Sequence, residues 1–444
     1  MLRQPVREEQ RVTAIPTDAL RWDLLQWAID QDEDVTFFNS NRSAQISLAY
    51  PHGFFPDRLA LGKYQAVDAS GKDPFQQLWA YHHEQPDFLI GFWVYDLKNK
   101  LEALESRHPN RTGWPDCSFY QPRHVLDFES DTVVIRSLED GGTLAELLAG
   151  YAGASNLRAA KIKSVDKLAP GQVKCRVSRT EYVERVRQIQ RHILEGDVYE
   201  LNYCIEFFAE NAVIDPLQTY RQLNEKSPMP FSVFQKIGDQ YLLCASPERF
   251  LKKDGRKLVS QPIKGTARRG KTIEEDERLK HHLRNNEKEQ AENLMIVDLV
   301  RNDLARSAET GSVRVEELFG IYSFQQVHQM ISTVSATLRE NMSWADAIRH
   351  AFPMGSMTGA PKVRAMELID QYESSRRGLY SGAVGFITPE GDFDFNVVIR
   401  SILYNEKTGY LSFSVGSAIT YDADPEAEYE ECLLKAQAIL SVLQ

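Results

Sequence analysis

The chain has 444 residues, of which 42% are hydrophobic and 26% are charged, as expected of a folded globular protein. The formal net charge is −11 with no dominant run of lysine or arginine. This argues against nucleic-acid binding, and an anionic substrate would need a local positive site or a metal ion. The five cysteines are scattered without a Cys-x-x-Cys pair, so neither a disulfide framework nor a zinc site is expected.

The N-terminal part of the chain mixes short strand-like runs with turns and contains no recognisable chemical motif. Its first ten residues lack the apolar run of a signal peptide, and no later apolar run is long enough to span a bilayer, so a cytoplasmic protein is expected. Apolar and aromatic runs predict strands at residues 35–38, 88–92 and 132–135. Helical patterns occur in parts of residues 76–83 and 96–105.

A domain boundary is predicted near residue 175. A short predicted helix at residues 145–152 is followed by a small, basic stretch at residues 155–174 that contains Pro170-Gly171. We therefore expect an N-terminal α+β subdomain over residues 1–175, packed against a catalytic domain over residues 176–444.

The second part of the chain contains strands and helices in blocks. A helix is predicted at residues 178–196, where apolar side chains recur at helical spacing. The following predicted elements are strands at 198–208, 231–237, 240–245 and 257–260, a charged helical segment at 272–306, three antiparallel strands within 382–420 and a closing helix at 425–443. This arrangement predicts an α+β fold with largely antiparallel sheets.

Asp254-Gly255 is a strong signal for a two-residue hairpin turn. If the turn pairs Lys253 with Arg256, Glu248 lies opposite Gln261. Simple alternation would then place Lys264 on the other face of the strand from Gln261. Pro262 would have to bend the chain for Glu248 and Lys264 to act together.

Lys264 stands between the rigid Pro262-Ile263 pair and the permissive Gly265. Such a lysine can be held against the wall of a site, and partial desolvation would make its amine a nucleophile or base near neutral pH. A lysine at a strand end that points into solvent is the alternative interpretation of this stretch.

Two predicted helices carry glutamates at i, i+3 spacing, Glu289 with Glu292 and Glu428 with Glu431. On each helix the acidic face continues into an apolar stripe, which favours a site over a solvated surface. If the pairs meet, four negative charges converge, and hard carboxylate oxygens without nearby His or Cys favour Mg²⁺. Taken alone, either pair also fits an ordinary solvated helix face.

Three further features each allow two interpretations. Thr358-Gly359-Ala360-Pro361-Lys362 opens a predicted helix and offers either an anion site or a structural cap. Arg400 ends the apolar run Asn396–Ile399 and fits either a carboxylate clamp or an internal salt bridge. His328, near a predicted strand, is either a site residue or a packing residue.

Taken together, these motifs resemble the chorismate-utilising enzymes. Five motifs occur in that family's order, and the resemblance covers the chain from about Ser178 to the C-terminus. The motifs are Pro262–Thr266 (PIKGT), Ala291–Asp303 (AENLMIVDLVRND), Thr358–Lys362 (TGAPK), Ser381–Gly385 (SGAVG) and Ile399–Ser401. The resemblance implies two large, mainly antiparallel β-sheets packed as a sandwich with helices on the outside.

The resemblance also implies a reaction. A lysine at position 264, where anthranilate synthase has alanine, marks the branch of the family that forms 4-amino-4-deoxychorismate, the precursor of p-aminobenzoate and folate. Lys264 would attack C2 of chorismate, and ammonia would then add at C4 and expel the lysine. The ammonia would come from a separate glutamine amidotransferase subunit, because this chain shows no Cys/His glutaminase constellation of its own.

The residue roles implied by the resemblance complete the expected site. Glu248 would act as general acid and base at the departing hydroxyl, and Mg²⁺ would bind the ring carboxylate. Metal ligands would be Glu292 and Glu431, with Glu428 and Glu289 completing the acidic cage. Substrate-binding residues would be Arg400 and Tyr380 at the enolpyruvyl carboxylate, Thr358, Gly359 and Gly416 at the ring carboxylate, and His328, Gly265 and Thr266 in the pocket wall.

The chain departs from the family pattern at three places. Gly416-Ser417-Ala418 replaces a glycine-rich triplet, and Glu200 stands where relatives usually carry Gln or Lys. The tryptophan-site motif is not evident; the nearest stretch is residues 37–40, so we predict no tryptophan feedback. The alternatives are anthranilate synthase component I, disfavoured by Lys264, an isochorismate- or salicylate-forming relative, disfavoured by Glu200, and a non-catalytic chorismate-binding subunit.

Overall fold

The computed structural model describes residues 6–15, 17–41, 50–138, 144–145, 148, 167–169, 171–325 and 327–444. The predicted helix at 145–152 and the predicted boundary stretch at 155–174 lie largely outside these residues, so the domain division near residue 175 stays a prediction. No described helix is both long enough and apolar enough to cross a membrane.

The described residues form twenty strands and ten α-helices. The strands are β1 (Glu8–Thr13), β2 (Val35–Asn39), β3 (Arg58–Val67), β4 (Leu89–Trp93), β5 (Cys117–Glu129), β6 (Thr132–Ser137), β7 (Lys174–Cys175), β8 (Glu200–Ala209), β9 (Phe231–Ile237), β10 (Gln240–Ser246), β11 (Arg249–Asp254), β12 (Lys257–Gln261), β13 (Ile263–Arg268), β14 (Arg314–Ser323), β15 (Val327–Thr337), β16 (Gly359–Ala360), β17 (Ala383–Ile387), β18 (Phe393–Asn396), β19 (Ser401–Asn405) and β20 (Tyr410–Ile419). The helices are α1 (Thr17–Asp30), α2 (Pro74–Glu84), α3 (Lys98–Leu101), α4 (Arg179–Leu194), α5 (Pro216–Lys226), α6 (Ile273–Arg284), α7 (Glu287–Ala305), α8 (Trp344–Ala351), α9 (Lys362–Tyr372) and α10 (Pro425–Leu443).

Antiparallel pairing joins the strands into two leaves that meet at the long strand β5. The first leaf runs β5–β3–β2–β9–β10–β19–β20–β8, with β7 and β16 on β8. The second leaf runs β5–β4–β17–β18–β11–β12–β15, with β13 and β14 also on β15. Strands β1 and β6 continue from β5.

The two leaves pack face to face through an aromatic core. Phe38 of the first leaf meets Phe386 of the second with ring centroids 5.2 Å apart. Val233 and Leu242 from the first leaf are buried in the same cluster as Ile90 from the second. Such dry packing between inner faces is how a β-sandwich buries its apolar area. The predicted sandwich of antiparallel sheets is confirmed.

Helices cover the outer face of each leaf. Apolar residues of α1, α4, α5, α9 and α10 share one buried cluster with strands of the first leaf. Residues of α2, α7 and α8 share another with strands of the second leaf. Because these strands are buried on both faces, they read as continuous apolar runs such as Val35–Phe38 and not as alternation.

Several predicted elements need correction. The charged segment at 272–306 forms two helices, because the Asn286 side chain accepts the Glu289 N–H and starts a new helix at α7. Residues 382–420 form four strands, and residues 397–400 belong to none of them. Of the helical pattern at 96–105, only a 3₁₀ turn and the short α3 form.

The hairpin after β11 turns one residue later than predicted. Asp254 pairs with Lys257, so Gly255, with φ +55°, and Arg256 form the turn. Arg249, and not Glu248, therefore lies opposite Gln261. The register of β12 and β13 against β15 shifts between Ile263 and Thr266, so the irregularity follows Pro262 and falls on Lys264 and Gly265.

Candidate active site

Two capped helices bring the four glutamates together. Asn286 caps α7, and Asp424 caps α10 by accepting the N–H groups of Glu426 at 2.9 Å and Ala427 at 2.8 Å. Each cap places an i, i+3 pair of glutamates within the first two turns, where the helix dipole favours negative charge. Lys288 joins the two helices, with its Nζ 3.2 Å from Glu428 Oε1 and 3.8 Å from Glu292 Oε1.

The pKa values of the four glutamates are shifted in different directions. Burial, and then repulsion from neighbouring glutamates, raises the pKa of Glu289 and of Glu428. Burial likewise raises the pKa of Glu292, against the attraction of Lys264 and Lys288. Burial also acts on Glu431, but the Lys435 amine 2.6 Å away leaves its pKa below the ordinary value. Negative charge is therefore concentrated here and only partly balanced by lysines.

Lys264 lies at a β-bulge in β13 beside these acids. Gly265 has φ +90°, and a Cβ there would lie 3.0 Å from Glu289 Oε2, so the close approach of strand and helix requires glycine. Lys264 is half-buried, and its positive charge acts on five glutamates. These are Glu200, Glu248, Glu289, Glu292 and Glu431. The amine therefore faces the acids and not bulk solvent alone.

Glu248 is a buried acid next to Lys264. Ser246 Oγ accepts the Glu248 N–H at 3.2 Å and donates to Val397 O at 2.6 Å, which fixes the turn between β10 and β11. Burial raises the pKa of Glu248 to about 7, against the Ser356 hydroxyl, Lys264, the Ile263 N–H and Arg400. A carboxyl group with this pKa can both donate and accept a proton near neutral pH.

Arg400 reaches the same region from outside any strand. It has φ +51° in the segment between β18 and β19, which turns its side chain away from the path of a regular strand. Burial lowers the pKa of Arg400 to about 10, against the attraction of Glu248. Among the described residues its guanidinium contacts Met229 Sδ at 3.8 Å and no carboxylate within ion-pair distance, which favours the clamp over the internal salt bridge.

The backbone segment Thr358–Gly359 is fixed against the first leaf. Thr358 O accepts the Asn202 N–H at 2.8 Å, and a Cβ on Gly359 would lie 2.2 Å from Glu200 O. Gly416 is equally crowded, because a Cβ there would lie 2.5 Å from Cys204 Sγ, and its carbonyl accepts from Lys435 Nζ at 2.8 Å. The helix α9 begins after Pro361, which is its N-cap residue and not its first helical residue.

The remaining predicted residues divide between site and scaffold. Tyr380 is buried with its hydroxyl 3.6 Å from Cys204 Sγ, and burial raises its pKa. Thr266 is exposed on β13. His328 is fully buried, and its ring nitrogens lie 2.9 Å from Asp276 Oδ1 and 2.8 Å from Ser323 Oγ. These contacts fit the packing interpretation of His328.

Sequence reasoning missed the lysines at the acidic site. Lys288 and Lys435 each lie four residues from a glutamate of the cage, Glu292 and Glu431, and this i, i+4 spacing was the available signal. Nor did any sequence pattern indicate that Glu200 Oε2 is buried without a hydrogen-bond partner among the described residues. Burial raises the pKa of Glu200, against the attraction of Lys264.

A second group of possible ligands lies at the end of α4. In the part of the chain that the structure describes, only His192, Glu195 and Asp197 bring three ligand atoms within 4.8 Å of one another. Arg364 Nη2 lies 2.8 Å from Asp197 Oδ2, and His192 Nε2 lies 2.9 Å from the Tyr372 hydroxyl. These partners already satisfy the group, whereas the four glutamates are spaced more widely around Lys288.

Comparison with known proteins gives one consistent family. A model of the chorismate binding enzyme family matches residues 27–441. The chain is 39% identical over 434 residues to aminodeoxychorismate synthase, chloroplastic, of Arabidopsis thaliana, covering 91% of this chain and 47% of that protein. It is 37% identical to aminodeoxychorismate synthase component 1 of Klebsiella aerogenes, and the match covers 86% of this chain and 85% of that protein. It is 34% identical to anthranilate synthase component 1 of Thermus thermophilus, and the match covers 82% of this chain and 79% of that protein.

The length and the fold of relatives add two facts. The chain spans about half the length of the Arabidopsis relative and of aminodeoxychorismate synthase of Streptomyces griseus. Anthranilate synthase component I of Streptococcus pneumoniae has a TM-score of 0.74 at 26% identity, covering 90% of this chain and 94% of that one. MenF of Escherichia coli, a menaquinone-specific isochorismate synthase, has a TM-score of 0.74 at 16% identity, covering 99% of this chain and 95% of that one. At this identity the likeness concerns the fold alone.

Proposed function

Because the chain belongs to the chorismate binding enzyme family, we propose that it binds chorismate and aminates it to 4-amino-4-deoxychorismate. Relatives named aminodeoxychorismate synthase or probable aminodeoxychorismate synthase, matched at 34–44% identity, support this reaction. The observation that carries the proposal is the position of Lys264, half-buried between Glu248 and the glutamates of α7 and α10. Overall identity does not decide between branches, since an anthranilate synthase component 1 matches at 34%.

The reaction is proposed to use Lys264 as nucleophile and Glu248 as acid and base. Lys264, as the neutral amine, forms a bond to C2, the two ring double bonds shift, and the bond between C4 and its hydroxyl breaks; the double bonds shift back in the second step. Glu248 gives its proton to the departing oxygen, which leaves as water. Ammonia then bonds to C4, the electron pair of the N–C2 bond returns to Lys264, and the Glu248 carboxylate takes a proton from the new ammonium group. A pKa near 7 suits both transfers.

The carboxylates of chorismate would be held by positive and N–H groups around this pair. Arg400, which has no carboxylate within ion-pair distance among the described residues, is proposed to bind the enolpyruvyl carboxylate together with Tyr380. The Thr358–Gly359 backbone and Gly416 are proposed to hold the ring carboxylate; close packing against β8 fixes the position of both glycines. Such fixed donors orient the substrate without reorganisation.

The four glutamates supply the donor atoms of a magnesium site, and their side chains would close around the ion, since no three of these described residues bring carboxylate oxygens within 4.8 Å of one another in the structure. Their donor atoms are hard oxygens, and burial together with mutual repulsion raises the pKa of Glu289 and Glu428, so a divalent cation would be stabilised there. Glu292 and Glu431 are proposed as the main ligands. When bound, Mg²⁺ would supply positive charge for the ring carboxylate. Lys288, which now lies between Glu292 and Glu428, would have to move aside.

Ammonia is proposed to come from a glutamine amidotransferase partner. The words "component 1" in the names of relatives from Klebsiella aerogenes and Escherichia coli support a second component. Tryptophan is proposed not to inhibit the enzyme. Neither proposal affects the chemistry at Lys264, because ammonium salts can replace the partner in the test below.

Product analysis tests the proposed function. The chain is incubated with chorismate, Mg²⁺ and ammonium, and aminodeoxychorismate lyase is then added; p-aminobenzoate is expected. In the wild type without ammonia, intact-protein mass spectrometry should detect a covalent adduct with chorismate. Lys264→Ala should lose both this adduct and the p-aminobenzoate. Lys407→Ala, in an exposed turn, is the matched control and should retain both. Anthranilate formed without lyase would overturn the proposal and favour the anthranilate synthase alternative.

A further inference from the structure

We propose that a single buried water bridges the Ser356 hydroxyl and the Glu248 carboxyl, and that Ser356 positions the acid of the reaction through this water. The inference rests on the proposed function for its catalytic consequence, but the water site itself does not. Ser356 lies in the 3₁₀ turn Gly355–Met357, directly before the Thr358–Gly359 segment. The bridge would therefore connect the acid to the segment proposed to hold the ring carboxylate.

The first observation is a cavity of the right size. A cavity of about 20 Å³ lies between the second leaf and α7, and both Glu248 and Ser356 line it. A water molecule needs about 10–15 Å³ by the same measure and two to four polar partners. The cavity therefore has room for one water. Ser260 and Asp303 also line it, so it is not a purely apolar void that would stay dry.

The second observation is an unpartnered hydroxyl. Ser356 Oγ is buried and has no hydrogen-bond partner among the described residues, and the residue as a whole is 7% exposed. A buried hydroxyl without a partner costs about 1–3 kcal/mol, so native proteins rarely leave one. Its neighbour Thr358 donates to Met354 O and Gly355 O, so the turn itself satisfies one hydroxyl and leaves the other facing Glu248.

A water reconciles two facts about Ser356 and Glu248. The Ser356 hydroxyl acts on Glu248 as a hydrogen-bond donor, which lowers the pKa of that carboxyl against the effect of burial. It nevertheless makes no direct hydrogen bond of normal geometry to that carboxyl. A polar pair without a hydrogen bond of normal geometry, beside a cavity of one-water volume that both groups line, is a setting in which a water can bridge them.

Among the described residues, none of the other charged and titratable groups around Glu248 is hydrogen-bonded to Ser356 Oγ. They are Lys264 of β13, Arg400, the adjacent Arg249, Tyr50 and Asp303 of α7. Arg249 is paired with Asp394 at 2.9 Å, and Asp303 with Lys362 at 2.6 Å. Removing the Ser356 hydroxyl leaves these groups in place. A change in the titration of Glu248 in such a variant therefore reports the bridge.

A crystal structure and a pH profile test the inference. In the wild-type crystal, one ordered water within hydrogen-bond distance of both Ser356 Oγ and Glu248 is expected. In solution, kcat/KM for chorismate at saturating ammonium should fall above a pH near 7 as Glu248 loses its proton. In Ser356→Ala, loss of a donor that favours the carboxylate should move this basic limb upward by roughly half to one pH unit.

Two further variants distinguish a bridging water from a direct hydroxyl contact and from the general loss of a buried hydroxyl. Ser356→Thr keeps the hydroxyl but adds a methyl group that takes up the space of the water, so the limb should also move upward. Ser137→Ala, which removes another buried serine hydroxyl, bonded to His124 at 2.8 Å and distant from Glu248 in the fold, should leave the limb unchanged. Unfolding temperatures show whether each variant is folded.

The possible failures are distinct. A dry cavity, a direct bond between Ser356 and Glu248, or a wild-type limb retained in folded Ser356→Ala or Ser356→Thr would overturn the bridge. If the wild type forms no 4-amino-4-deoxychorismate, the proposed function fails instead, and the crystal structure still decides whether the water site exists.

Discussion

At the scale of single residues, burial decides what each acid near Lys264 can do. Glu248 and Glu200 are both almost fully buried, but Glu248 faces a hydroxyl, an N–H group and two cations, whereas one oxygen of Glu200 has no partner among the described residues. A buried carboxyl without partners is costly when ionised. The ionisation of Glu200 should therefore affect the pH dependence of stability more directly than it affects catalysis.

Replacing Glu200 with glutamine should stabilise the protein more at high pH than at low pH. Burial raises the pKa of Glu200 above its ordinary value of 4.5 in the folded state, so the folded wild type loses stability as pH rises from the unfolded pKa through the raised folded pKa. Each unit of difference costs about 1.4 kcal/mol once the pH is above both values. Glutamine has no such titration.

Urea denaturation measures this effect. The free energy of unfolding of Glu200→Gln, relative to wild type, should be greater at about pH 8 than at about pH 4.5. Glu340→Gln, at an 85% exposed side chain, is the control and should show no pH-dependent difference. A Glu200→Gln variant that tracks wild type at both pH values would show that the carboxyl ionises freely in the folded protein.

At the scale of elements, periodicity predicted most of the structure around the site. The α10 helix and the strands β2, β9 and β10 follow from their own residues, and so does the i, i+3 spacing of the glutamates on two helices. The cap at Asn286 that begins α7 was not predicted. The register of the β11–β12 hairpin could not be predicted from its own residues, because Gly255 could occupy either position of the turn. The bulge at Lys264 also depends on β15 and α7, which are distant in sequence, so no local pattern contained it.

That bulge gives a prediction about Gly265. An alanine there would require φ +90° and would bring Cβ within 3.0 Å of Glu289 Oε2 and 3.3 Å of Met330 Cβ. We expect a loss of roughly 2–4 kcal/mol in the free energy of unfolding, from backbone strain and overpacking together. Turnover should fall as well, because the same distortion moves Lys264 away from Glu248.

Gly238→Ala separates strain from crowding. Gly238 also has a positive φ, +53°, but a Cβ there meets nothing within 4 Å. This variant should lose only about 1–2 kcal/mol of stability and retain turnover. Equal losses in the two variants, measured by urea denaturation, would mean that the contact of β13 with α7 does not require glycine.

At the scale of the whole molecule, the site lies where the two leaves and their helices meet. The first leaf contributes Glu200 and Gly416, the second contributes Lys264, and α7 and α10 approach from opposite leaves. Block order predicted an α+β fold with largely antiparallel sheets and the family resemblance implied the sandwich, but neither predicted which strands join its halves. β2 pairs with β9 and β4 pairs with β17, so strands of the N-terminal part lie inside both leaves.

This topology predicts that residues 176–444 do not fold alone. Without residues 1–175, β9 and β17 would become exposed edges, and Phe231, Phe386 and Val384 would lose partners in the core between the leaves. Exposed apolar edges favour aggregation over a cooperative fold. We expect the isolated segment to elute as aggregates in size-exclusion chromatography and to lack a cooperative thermal transition, and co-expression with residues 1–175 to restore both a defined complex and turnover. A monomeric segment that melts cooperatively on its own would instead support an independent catalytic domain, with the N-terminal strands as an addition to a complete sheet.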